Sequence, residues 1–233
     1  MPRKRQIQVN EATRATIKET ARRLMVVHGT AGLSLRAIAR ELEMTAPALY
    51  HYFPSLDDLI TALIVDAFTG HAAYVRQQRD AAATAGKSYR EQLFVAMQAY
   101  RRWALDHPID FQLVYGNPIP GYAAPVEVTA PAARSLGGVF METVMSAVSA
   151  GDIAPPTFTD PIPPTVRNHY QRHFGLDGPG AQIFHLMNHV WSLMHGMVTL
   201  EIYNHAAPVV GDTDAFYTQA IRHQFHLMGI ELP

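Results

Sequence analysis

The sequence predicts an all-α protein. It carries no run of alternating β-branched residues, and no Asn-Gly or Asp-Gly turn stands between such runs. Apolar residues instead recur at helical spacing along most of the chain. Capping signals precede several of these periodic stretches, with an acid three positions after the cap at Ser55/Asp58 and Ser88/Glu91.

The first helix is predicted from about Asn10 to His28, because Ile17, Ala21, Leu24, Met25 and His28 fall on one face and Gly29 can stop it. Ser34 caps a second helix that places Leu35, Ile38, Ala39 and Leu42 together. Glu43, Met44 and Thr45 make a short connection, and Thr45 caps a third helix with Pro47 in its first turn. That helix stops at Phe53, since a residue before proline is pushed out of helical geometry. Ser55 opens a fourth, with Leu56, Leu59, Ile60, Leu63 and Ala67 on one face, running to about Asp80. The alanine-rich stretch from Ala81 to Lys87 is the best candidate boundary. Helices are then expected at about 89–106, from Pro108 to Tyr115, at 129–150, at 165–174 and at 181–205. The loop 116–125 and the proline-rich stretch from Pro155 to Pro164 interrupt this series. Asp212 caps a last helix with Tyr217, Ile221, Phe225 and Met228 on one side.

The 233 residues suit one large or two small domains, and 48% apolar with 17% charged residues is a globular composition. The absence of cysteine excludes a disulfide scaffold, a thiol nucleophile and any cysteine-ligated metal. No apolar run approaches the roughly 18 residues that span a bilayer, and the basic start MPRKRQIQVNEATR lacks the apolar stretch of a signal peptide. A soluble cytoplasmic protein with no membrane partner is expected. The net charge of −1 is uneven: residues 1–40 hold nine Lys/Arg against Glu11 and Glu19, a net +7. Such an end suits a polyanion, and equally a solubilising tail.

Residues 34–53, SLRAIARELEMTAPALYHYF, form two short helices joined by about three residues and packed on a first helix, which is helix-turn-helix geometry. A major groove admits one helix, whose groove face must be polar enough to meet it. The third helix turns Thr45, Ala46, Ala48, Tyr50, His51 and Tyr52 outward and Leu49 and Phe53 inward. Arg36 can reach a phosphate or base edge, and helix N-terminal amides can grip phosphates.

Residues 10–68 resemble the DNA-binding domain of the tetracycline-repressor (TetR) family of bacterial transcription regulators. The resemblance is carried by Gly32, the SLRAIARELEM stretch, Ala48-Leu49-Tyr50-His51-Tyr52-Phe53 and Leu56-Asp57-Asp58-Leu59. It implies a homodimeric repressor with recognition helix 46–52. It also implies DNA contacts from Arg36, Thr45, Ala46, Pro47, Ala48, Tyr50, His51 and Tyr52. Many members carry a phosphate-contacting lysine where this chain has Leu56, which leaves the grip there to backbone amides or to the Arg3-Lys4-Arg5 arm. The expected domains are residues 8–68 for DNA binding and 69–233 for ligand binding and dimerisation.

The C-terminal part is rich in Met and aromatic residues. Trp103, Phe111, Tyr115, Phe140, Met141, Met145, Phe184, Met187, Trp191 and Met194 sit at core-like spacings. Most can be ordinary core. The sharper expectation is an apolar effector pocket lined by these residues except Met194, with His107, His185, His189, His195 and Tyr115 as polar handles. Trp191-Ser-Leu-Met-His195-Gly196 resembles the WHG type of TetR C-terminal domain. Gly196 inside a helix costs about 1 kcal/mol against alanine, which a close helix approach or a kink would explain. The pairs His169/His173 and His185/His189 have i, i+4 spacing, but no acid completes a ligand set, so no metal, cofactor or catalytic residue is assigned.

The expectation is a ligand-responsive repressor that binds a palindromic operator in double-stranded DNA as a homodimer and is released by a small, largely apolar effector. TetR relatives pair through a four-helix bundle, and the two last long helices are apolar around enough of their circumference to be buried on two sides. Two alternatives stand: a helical metal-dependent enzyme using the late histidines, and a regulator that binds DNA without a ligand. Scattered acids and the lack of a phosphate loop or GxSxG weigh against the enzyme.

Overall fold

Side-chain caps at Ser34, Thr45 and Ser55 set the starts of the second, third and fourth helices. The computed structural model describes residues 2–154, 161–228 and 230–232, with the backbone alone at 2–6 and 31. The side chains of the Arg3-Lys4-Arg5 arm, and Pro155 and Pro156, therefore lie outside the described residues. No strand occurs among the described residues. Helix α1 spans Pro2–His28 and buries Ile17, Ala21 and Met25. It starts eight residues earlier than apolar periodicity shows, because residues 2–9 carry no apolar stripe in the sequence that a pattern could register. Gly29, at φ +69°, ends it, and a 3₁₀ turn covers Thr30–Gly32. A Cβ on Gly32 would stand 2.7 Å from the His28 Cβ, so this turn closes on α1 only with glycine there.

The Ser34 hydroxyl accepts from the Ala37 amide at 3.2 Å and starts α2, Leu35–Glu41. Thr45 accepts from the Ala48 amide at 3.4 Å and starts α3, Ala46–Tyr52. Phe53 is extended before Pro54 and caps α3. Ser55 and Asp58 then form a capping box: the Asp58 amide donates to the Ser55 Oγ at 3.1 Å. Helix α4 runs Leu56–Thr84, beyond the expected end near Asp80, because the run after it is alanine, the best helix former. The chain turns only at Gly86, φ +76°. By length and mean hydropathy α4 also contains an 18-residue window apolar enough to cross a membrane, which the reading by apolar runs missed. Its Leu59, Ile60, Leu63 and Ala67 are instead spent on a protein core.

Ser88 and Glu91 cap α5, Tyr89–Asp106, with the Ser88 amide donating to Glu91 at 3.0 Å. This carboxylate bonding holds the Glu91 pKa below its ordinary value. Pro108 begins α6, Pro108–Tyr115. Helix α7 is Val126–Ser149 and contains Pro131. Then come α8, Pro164–Phe174, and α9, Gly178–Ile202. A one-turn helix α10, Ala207–Val210, lies in a stretch too short to show a period. The Asp212 carboxylate accepts from the Ala215 amide at 2.9 Å and starts α11, Thr213–Leu227.

The chain divides into two compact units: residues 1–70 with 107–134, and residues 71–106 with 135–233. A cut near residue 69 instead leaves 107–134 with the C-terminal domain. In the first unit α1 to α4 enclose Ile17, Ala21, Met25, Leu35, Ile38, Leu49, Phe53, Leu59 and Leu63, and Leu113 of α6 joins the same core. Arg22 holds Asp110 at 2.8 Å and Thr61 bonds the Tyr122 hydroxyl at 2.9 Å. The second unit packs α5, α9 and α11 on one another. There Tyr217 donates its hydroxyl to the Met97 carbonyl at 2.8 Å, and Arg101 bridges Glu201 and Asp214 at 2.7 and 2.6 Å.

Candidate nucleic-acid interface and the C-terminal body

Helix α3 buries one of its seven side chains, Leu49. With Phe53 one turn later, it anchors the helix in the first core. Everything else on α3 follows from that anchoring. Thr45, Ala46, Pro47, Ala48, Tyr50 and His51 are exposed. Tyr52 is half-buried against the core, with its ring edge-on to His51 at 5.4 Å. Arg36 is exposed in the first turn of α2. Leu56, where a family lysine is common, is half-buried and packs on the core.

The sequence reading missed Arg14. Its Nη1 donates to the Tyr52 carbonyl at 2.5 Å, and its guanidinium carbon stands 4.2 Å from the centre of the Phe53 ring. The contact joins residues 38 apart, so no local pattern announces it. Two other basic groups of α1 are spent internally: Lys18 pairs with Asp66 at 2.5 Å and Arg22 with Asp110.

The residues expected to line an effector pocket are divided between the two units. Phe111 and Tyr115 belong to the first unit, where Tyr115 stands edge-on to Phe68 at 5.7 Å and tilted on Phe111 at 5.0 Å. His107, expected as a handle, is an exposed residue of that unit at the start of α6. In the second unit Trp103 is buried and stacks on His71 at 4.2 Å, interplanar angle 10°. Phe140 is buried, and Met141, Phe184 and Met187 are half-buried. Met145 and Trp191 are 42% and 40% exposed in the single chain, so neither is a core residue within it.

His195 shares a hydrogen bond with the Tyr100 hydroxyl through Nδ1 at 2.8 Å, while Trp191 stacks on its ring at 5.1 Å. Burial pushes the His195 pKa down. His71, also absent from the sequence reading, is fully buried and donates from Nε2 to the Tyr100 carbonyl at 3.2 Å. No atom lies within 4 Å of a Cβ placed on Gly196, so helix packing within the chain does not require this glycine.

The histidine pairs form as spaced, with ring centres 4.2 Å apart at His169/His173 and 4.4 Å at His185/His189. His185 Nδ1 bonds the Tyr170 hydroxyl at 3.0 Å. Burial, and then the neighbouring His189, lower its pKa. Among the described residues no three His, Asp or Glu side chains gather as a metal site.

Two family descriptions match this chain: bacterial regulatory proteins of the tetR family over residues 17–63, and the tetracyclin repressor-like C-terminal domain over residues 93–224. The chain belongs to the tetR family. The first match spans the core of α1 to α4, and the second contains Trp191, His195 and Gly196. An HTH-type transcriptional regulator of Mycobacterium tuberculosis, Rv1816, is 35% identical over 197 residues, covering 83% of this chain and 82% of the relative. The crystal structure of the regulatory protein SCO4313 superposes with TM-score 0.73 at 30% identity, covering 94% of this chain and 98% of that one. RolR, solved with its ligand resorcinol, shares the fold at TM-score 0.54 and 16% identity, covering 96% and 91% of the two chains. The tetR family comprises DNA-binding transcription regulators with a helix-turn-helix domain, not enzymes, and this chain is such a regulator.

Proposed function

We propose that this tetR-family regulator is a ligand-responsive repressor that binds a palindromic operator as a homodimer. The DNA-binding domain is residues 8–68. Its reading surface is Thr45, Ala46, Pro47, Ala48, Tyr50, His51 and Tyr52 on α3, with Arg36 on phosphate or a base edge. The observation that carries this reading is the exposed face of a two-turn helix anchored in the core by Leu49 and Phe53. Alanine methyls at 46 and 48 suit thymine methyl contacts, and the Tyr50 hydroxyl supplies a hydrogen bond.

Dimerisation belongs to residues 69–233. Trp191, Leu193 and Leu200 on α9, Tyr203 just after it, and Phe216 and Leu227 on α11 are large, apolar or aromatic, and exposed in the single chain. Two copies would cover them. The effector is small and largely apolar, and its site lies in the second unit near Trp103, Phe140, Met141, Phe184, Met187 and His195. RolR, a protein of this fold, holds resorcinol. Helix α4 is continuous from Leu56 to Thr84, so a shift of its second half would move its first half and misplace α3 against the duplex. A coupling of about 1–3 kcal/mol is enough for such release. The work is done in the cytoplasm. A second reading, a regulator without a ligand, is favoured by the Trp103–His71 stack and the Tyr100–His195 bond, in which Trp103, His71 and Tyr100 are already buried against one another.

Duplexes enriched by the protein from a randomised library supply the test. Tyr50→Ala and Arg36→Ala each weaken binding to the enriched duplex by about 10-fold, read by gel shift. A protein that sediments as a monomer and enriches no duplex at low salt overturns the reading. Thermal shifts with apolar small molecules separate the two versions: stabilisation by any of them supports the ligand-responsive one.

A further inference from the structure

We propose that Arg14 fixes the pitch of α3 and so determines sequence specificity without touching the duplex, an inference that rests on α3 being the reading helix. Little holds that helix. Its seven residues bury only Leu49, and its N-terminal cap is a long 3.4 Å bond from the Ala48 amide to Thr45. A helix of that length extends about 10 Å, so a tilt of about 10° about its C-terminal end displaces its first turn by nearly 2 Å. Hydrogen bonds to base edges do not survive such a displacement.

The C-terminal end is where the remaining constraint sits. The last carbonyls of a helix have no intrahelical partner and carry the negative end of its dipole. Pro54, two residues after Tyr52, has no N–H to offer. Arg14 reaches this end from α1, donating to the Tyr52 carbonyl at 2.5 Å while its guanidinium carbon lies 4.2 Å from the centre of the Phe53 ring. Phe53 is fully buried, so the stack has a rigid floor. The same side chain thus satisfies the helix end and clamps it to α1, whose Ile17 lies one turn on and is itself fully buried. A guanidinium is suited to both contacts, since it is planar, stacks on aromatic faces and donates in fixed directions. Lysine at this position keeps the charge and can still donate to the carbonyl but loses the planar stack.

A phosphate contact would also make Arg14 matter for binding, and the two roles differ in what they change. Loss of a phosphate contact weakens all duplexes alike and lowers the salt dependence by about one unit of slope. Loss of a positioning contact weakens the preferred duplex and leaves unspecific binding and the salt slope in place.

Full-length wild type, Arg14→Ala and Arg14→Lys are compared on the duplex enriched by the wild type and on poly(dI-dC), over a salt series. Arg14→Ala is expected to lose about 10-fold or more on the enriched duplex and under about 3-fold on poly(dI-dC), with an unchanged slope, and Arg14→Lys to recover part of the loss. Partial unfolding of a variant lowers both affinities together, so the ratio of the two remains the readout. Equal losses on both duplexes, a slope reduced by about one, or undiminished preference for the enriched duplex in both variants overturns the inference. A wild type that enriches nothing overturns the reading beneath it as well.

Discussion

Gly32 shows how a single atom is excluded. Its backbone closes on α1 with no room for a Cβ, the nearest obstacle being the Cβ of His28 at 2.7 Å rather than the movable end of a side chain. Gly32→Ala therefore has to shift the 3₁₀ turn, and a loss of about 1–3 kcal/mol is expected from urea denaturation. His195 makes the residue-scale case for pH. Burial holds its pKa below the ordinary value, so between those two values the unfolded chain binds the proton that the folded chain refuses. The stability it contributes is present above about pH 6.5 and is lost as the pH falls from there towards the lowered folded value, with His185 adding to the same slope. Denaturation midpoints should fall from pH 7.5 to 5.5, and less steeply in His195→Gln, which has no proton to gain. Equal slopes in the two proteins would refute this assignment.

At the scale of elements, Arg101 ties α5 to α9 and α11. Its guanidinium and the Glu201 carboxylate are both largely buried, whereas Asp214 is mostly exposed. Burial pushes the Glu201 pKa up, and the bonds from Arg101 and Thr213 outweigh it and hold the group below its usual range. Arg101→Ala strands that carboxylate and should cost about 3 kcal/mol, while Asp214→Ala should cost under about 1 kcal/mol, both read as shifts in denaturation midpoint. None of this was legible beforehand, since Arg101 and Glu201 are a hundred residues apart. What was legible is local. Ser34, Thr45, Ser55, Ser88 and Asp212 cap helices because each bond spans three residues. Leu49 and Phe53 point inward because they are four apart on a short helix, and the outward face of α3 follows from them. The start of α1 and the four-residue α10 escaped because neither carries an apolar period. The aromatic residues expected to line a pocket all lie on helices, yet spacing within a helix does not say which other helix it meets. Phe111 and Tyr115 were accordingly grouped with Trp103, although they pack in the other unit.

At the scale of the molecule, each unit is assembled from pieces of chain far apart in sequence. The first needs residues 107–134 as well as 1–70: Leu113 completes its core, Asp110 answers Arg22, and Tyr122 meets Thr61. The reader head is thus not a detachable module. A shortened polypeptide ending at Gly70 leaves a hole where Leu113 sat and strips Arg22 of one of its two acids. Such a fragment should melt over a broader range and at a lower temperature than the whole protein, as followed by circular dichroism, even though every residue proposed to meet DNA is still in it. A fragment melting as sharply and as high as the parent would show α6 to be dispensable. Anyone grafting this head onto another body would have to bring α6 along, spliced back in as a second graft.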